Sequence, residues 1–110
     1  MEAFTVGSVV ITSFPFSNLK AHKNRPALVL GFSDFNDVVL CQITSVDDGD
    51  LRKVKLSSRS FKNGGLFVDS YVRPDKLFTA DKSLISNNVG EIKPELLKEV
   101  RIILKDFFDI

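Results

Sequence analysis

The sequence holds one cysteine, one histidine and no tryptophan in 110 residues. A lone Cys41 excludes a disulfide framework, and one thiol with one imidazole cannot assemble a zinc site. With His22 as the sole imidazole, a Ser-His-Asp triad is excluded as well. No run approaches the roughly 20 apolar residues that a membrane-spanning helix needs. Residues 1–7 lack the basic start and apolar stretch of a signal peptide, so a cytoplasmic protein away from the membrane is expected. No phosphate-cradling glycine signature precedes a helix, which leaves nucleotide binding of the P-loop or Rossmann type unsupported. Charge of one sign is also missing: 15 basic against 14 acidic side chains give a net +1, too little for a general attraction to nucleic acid. Neither a metal nor a cofactor is expected.

What is present is ordinary globular material, 44% apolar and 26% charged, which argues against disorder, collagen and coiled coil. The length suits one domain over residues 1–110. The charges are unevenly spread. Lys20, Lys23 and Arg25 form one acid-free stretch, and Arg52, Lys53, Lys55, Arg59 and Lys62 form a second, while Asp47, Asp48 and Asp50 crowd one turn. A dipolar surface and a plain solvated face both fit this pattern.

Val9, Val10 and Ile11, with Phe14 behind them, read as a strand stopped by Pro15. Residues 17–24 are polar and basic with no apolar period, which reads as a loop. Apolar runs at 27–30, 38–43, and 66–68 continuing to 71–72 read as further strands, bounded by turn-forming clusters at 31–37, 47–50 and 63–65. Val54 and Leu56 alternate with Lys53, Lys55 and Ser57, as on a strand with one wet face. Five or so short strands predict a small barrel or tightly curled sheet. The period then changes. Leu96, Leu97, Val100, Ile103, Leu104, Phe107 and Phe108 share one helical stripe, with Pro94 suited to the first turn and Glu95 to the positive end of the dipole. Residues 81–85 read as a short helical turn. The segments 17–24 and 58–65 are expected to be mobile and to gate a groove.

The residues that could carry chemistry are arginines, hydroxyls and carboxylates at strand ends, a set suited to a phosphodiester. Arg25 precedes Pro26, which pushes it toward an extended conformation and stiffens the junction that aims it. A planar five-donor guanidinium can hold a phosphate bidentately, or pair with a surface carboxylate. Thr44 and Ser45 end the run 38–43, where their hydroxyls could donate to phosphate oxygens or cap the following turn. Arg73-Pro74-Asp75 repeats the arginine-before-proline pattern and adds a carboxylate; it also reads as a simple turn.

Taken in order, Val6-Gly7-Ser8-Val9-Val10, Phe14-Pro15-Phe16, Asn24-Arg25-Pro26-Ala27-Leu28-Val29-Leu30, Ile43-Thr44-Ser45, Ser70-Tyr71-Val72-Arg73-Pro74-Asp75-Lys76-Leu77 and Val89-Gly90 before the terminal helix resemble the PemK/MazF family of bacterial toxins along nearly the whole chain. Ser8 departs from the acidic residue usual there, at a position expected to be structural. The resemblance implies a mainly β fold with helices (α+β), an SH3-like barrel of the CcdB/Kid/MazF type with a C-terminal α-helix, assembled as a homodimer. It implies a toxin of a type II toxin-antitoxin system that cleaves single-stranded RNA without a metal, leaving a 2′,3′-cyclic phosphate, and that is silenced by a cognate antitoxin protein. By motif, the catalytic positions fall on Arg25, Thr44, Arg73 and Asp75, with Ser45, His22, Lys23 and Lys20 as substrate-binding residues. His22 stands closer to the Arg-Pro element than the family pattern places its loop histidine. The alternative is a non-catalytic barrel that acts through protein contacts, as gyrase poisons do.

Overall fold

The computed structural model describes residues 3–15, 22–47, 49 and 52–110. Among them lie seven strands: β1 (Ser8–Pro15), β2 (His22–Phe32), β3 (Asp37–Thr44), β4 (Val54–Leu56), β5 (Phe61–Gly64), β6 (Ser70–Asp81) and β7 (Ile85–Ile92), followed by one helix, α1 (Pro94–Phe108). The strands form a single antiparallel sheet in the order β4-β6-β3-β2-β1-β7-β5, curled into a nearly closed barrel.

Two apolar clusters occupy opposite faces of this sheet. One gathers Val9, Leu28, Cys41, Ile43 and Val72 with Val100 of α1, and the other gathers Val10, Ala27, Val29, Val38 and Leu40 under Phe4 and Phe78. Successive residues of a strand point to opposite faces. Strands β2 and β3 are covered on both sides, which is why they read as unbroken apolar runs rather than as alternation. Full burial of each Val or Leu contributes roughly 1.5–3 kcal/mol.

The sheet has two strands more than the five or so expected, for identifiable reasons. Strand β5 buries only Phe61, and β7 carries a run of polar residues from Ser86 to Asn88, so neither announces itself by hydrophobic pattern. Strand β6 runs through Pro74 because Cys41 faces Leu77 while Gln42 faces Arg73, which loops Pro74, Asp75 and Lys76 out of the ladder. A bulge tolerates proline, since no ladder donor is required there.

Other expectations change at their boundaries. The loop expected at 17–24 gives way to strand at its end: β2 begins at His22, with Lys23 opposite Phe14 and Asn24 opposite Ser13. Lys23 and Asn24 are exposed polar residues, so the start of β2 leaves no apolar period in the sequence. The remainder of that expected gate, with Lys20, lies outside the described residues. The gate expected at 58–65 is a 3₁₀ turn, Ser58–Ser60, running into β5. The run 66–68 is not a strand; Gly64 and Gly65 at φ 68° and 158° turn the chain before it.

Residues Lys82–Leu84 form the short helical turn expected there, capped by Asp81, whose carboxylate accepts from the Ser83 amide at 2.9 Å. The terminal helix starts at Pro94 and ends at Asp109 in a left-handed cap. Val100 is fully buried, and Leu96, Leu97, Ile103 and Leu104 pack against the first cluster. The stripe stops docking there. Phe107 and Phe108 are 43% and 50% exposed and stack edge to face on each other at 5.2 Å. At the other end, buried Ser8 accepts from the Thr5 amide at 2.9 Å and closes the turn before β1, a structural role filled here without a carboxylate.

Candidate active site

Arg25 follows the polar end of β2 and precedes Pro26, and Thr44 is the last residue of β3. Ala27 pairs with Gln42, and each site residue lies two positions beyond that pair, so both side chains leave the same face of the sheet. They meet in a cleft of about 300 Å³ lined by Arg25, Pro26, Ile43, Thr44, Ser45, Val46, Leu66, Phe67, Val68 and Ser70. That volume sits at the lower end of the usual range for small-ligand sites.

The polar groups of the cleft are held in place by packing. Arg25 is half-buried, its Nε is shielded from solvent, and the residue lines the cleft. Thr44 Oγ1 accepts a hydrogen bond from the Val46 amide at 3.1 Å. This uses an oxygen lone pair and leaves the hydroxyl proton available to a ligand oxygen. Ser45 is exposed at the lip.

The turn that follows is clamped. Asp47 is ion-paired with Lys53 and accepts from the Tyr71 hydroxyl at 3.4 Å, and the Lys53 ammonium lies 5.2 Å from the centre of the Tyr71 ring. Hydrogen bonding from Lys53 and from the Gly49 amide holds the Asp47 carboxyl below the usual carboxylate range. Tyr71 stands directly opposite Thr44, so the clamp lies across the strand from the cleft's threonine.

Arg73 and Asp75 belong to a neighbouring feature and do not line this cleft. Arg73 pairs with Gln42, so its side chain leaves the same face as Thr44, one row further along the sheet. Its Nε donates to Asp75 Oδ1 and its Nη2 to Asp75 Oδ2, each at 3.1 Å. This bidentate contact holds the Asp75 carboxyl below its ordinary range. Lys23 is exposed on β2, outside the cleft lining. His22 opens β2 opposite Pro15, and its side chain lies outside the described residues. Four residues of the second basic stretch have a local partner. Lys53, Lys55 and Lys62 each face an acid (Asp47, Asp69 and Glu91), and Arg52 lies over the Phe107 ring at 5.7 Å.

Sequence reasoning missed the apolar wall of the cleft, Val46, Leu66, Phe67 and Val68. It assigned Phe67 to a strand interior, whereas the ring is completely exposed. The Gly64-Gly65 pair before it and Asp69 after it were the signals of a projecting loop.

The sequence matches the PemK-like, MazF-like toxins of type II toxin-antitoxin systems over residues 5–108. The chain belongs to this family. No curated protein matches it significantly. Among solved structures it is similar to MazF from Deinococcus radiodurans at 24% identity and a TM-score of 0.78, covering 100% of both chains. It is similar to the same organism's MazE-MazF complex at 23% identity and a TM-score of 0.79, covering 100% of this chain and 99% of that one. A mycobacterial endoribonuclease in complex with its cognate antitoxin is similar at 19% identity and a TM-score of 0.73, covering 100% of this chain and 97% of that one. These likenesses bear out the barrel with its C-terminal helix expected of the PemK/MazF-like family. Among the described residues no helix is long and apolar enough to cross a membrane.

Proposed function

We propose that this toxin-family chain is an endoribonuclease that cleaves single-stranded RNA in the cytoplasm by attack of a ribose 2′-hydroxyl on the adjacent phosphate. The observation that carries the reading is the convergence of Arg25, Thr44 and Ser45 in one cleft with an apolar wall. Guanidinium and hydroxyl donors suit the phosphate, and the apolar wall suits unstacked bases. In this reading the 2′-oxygen bonds to phosphorus, the bond to the 5′-oxygen breaks, and the products are a 2′,3′-cyclic phosphate and a 5′-hydroxyl. Arg25 and Thr44 stabilise the charge that builds on the phosphorane oxygens.

Arg73 and Asp75 complete the proposed catalytic set from one row away. Asp75 is the candidate acceptor of the 2′-hydroxyl proton, and its low pKa keeps it ionised at neutral pH. Arg73 adds electrostatic stabilisation; an arginine guanidinium holds its proton too tightly to be a good acid, so the leaving oxygen takes its proton from water. Ser45, Lys23, His22 and Lys20 are proposed to contact the flanking strand. A homodimer and a cognate antitoxin that covers the cleft belong to the same reading, which for both rests on the family.

The test is incubation of the purified protein with a long single-stranded RNA in EDTA, followed by end-group analysis. Discrete fragments ending in a cyclic phosphate are expected. Intact RNA across varied sequences, from a well-folded protein, would contradict the proposal and favour a toxin that acts by protein contact.

A further inference from the structure

Phe67 is the most exposed large apolar side chain among the described residues, and Val46 and Val68 beside it in the cleft wall are 64% and 61% exposed. Such a patch does not follow from a loose loop, because both ends of the segment are tied down. Before it, Gly64 and Gly90 bring β5 and β7 so close that a Cβ on Gly64 would meet the Val89 oxygen at 2.1 Å, and the Gly65 amide donates to that oxygen at 3.0 Å. Leu66 then packs against the first core cluster. After it, the hydroxyl of buried Ser70 donates to the Val68 carbonyl at 3.1 Å. The chain therefore holds an aromatic ring outward at the mouth of a cleft whose other wall carries a guanidinium and two hydroxyls.

We propose that Phe67 is a stacking platform for one unpaired nucleobase of the strand whose phosphate lies against Arg25 and Thr44. The occupant follows from the two halves of the cleft. Phosphate-binding donors and a flat apolar face line one small cleft, and a single-stranded nucleotide presents both an anion and a π-face. A ring held in advance costs little ordering on binding. Stacking of this kind accepts any base, so Phe67 contributes affinity and strand placement rather than a sequence code. The inference rests on the proposed RNA substrate.

The absence of tryptophan makes a direct test available, since Phe67→Trp introduces the sole indole in the protein. The probe is a short random-sequence 2′-O-methyl RNA pool, which cannot be cleaved, with an abasic strand of equal length as control. Binding is followed by anisotropy of the labelled strand and stacking by indole emission. The proposal expects RNA, and not the abasic strand, to quench the indole. It also expects Phe67→Ala and Phe67→Leu to weaken RNA binding by about five- to a hundredfold. RNA that binds without quenching, equal quenching by the abasic strand, or wild-type affinity in Phe67→Ala would overturn the platform while leaving the RNA reading intact. No RNA binding by wild type or any variant would overturn both. Since Phe67 packs against nothing in the core, all three variants are expected to fold.

Discussion

Arg73 grips Asp75 with two parallel hydrogen bonds of 3.1 Å, formed across a bulge that lifts Asp75 out of the β3–β6 ladder. The carboxyl is held below its ordinary pKa by this contact. Its folded pKa therefore lies under the unfolded value of about 3.9. Stabilisation from the pair is fully present above about pH 5 and is lost as pH falls through the folded pKa. Thermal unfolding of wild type and Asp75→Asn should differ most at neutral pH, by about 1–3 kcal/mol, and the difference should shrink as pH falls below the ordinary carboxylate range. A difference that stays constant as the pH is taken down through and well below that range would show that the charge is not what the pair contributes.

The Gly64–Gly90 crossing should tolerate no side chain. A Cβ on Gly90 would meet the Asn63 oxygen at 2.6 Å, and Gly64 also sits at φ 68°. Gly64→Ala and Gly90→Ala are each expected to cost more than about 2 kcal/mol in urea unfolding, whereas Gly31→Ala, with open space around it, should cost little for steric reasons.

Cys41 is completely buried in the first core cluster, and burial pushes its thiol up to about 12. It should resist a thiol reagent at pH 8 in the folded protein and react promptly once denatured. Prompt reaction of the native protein would mean that β3 opens readily.

Thr44 has two duties that substitution can separate. Thr44→Ser keeps the hydroxyl that accepts from Val46 and is expected to retain most activity; Thr44→Val removes it and should lower the rate by about 10- to 100-fold. A Thr44→Val protein as active as wild type would remove this hydroxyl from the chemistry.

The elements that could be read in the sequence were those whose packing leaves a period. The helix announced itself because Leu96 to Leu104 face one core, and β2 and β3 because both their faces are covered. β7 and the start of β2 stayed hidden, since Asn87, Lys23 and Asn24 are exposed polar residues in paired strands and leave no pattern. The site divides in the same way. Arg25 and Thr44 stood out because proline and strand end mark them locally. Phe67 did not, because its meaning depends on chain segments far apart in sequence closing one cleft.

The most direct test of the account compares single-stranded RNA cleavage rates of wild type and Arg25→Ala, at matched folded fraction. Arg25 is placed to stabilise charge on the reacting phosphate, so its removal should cost on the order of a hundredfold or more while the barrel stays folded. Wild-type cleavage by a folded Arg25→Ala protein would contradict the central claim that the Arg25–Thr44 cleft is where the phosphate reacts.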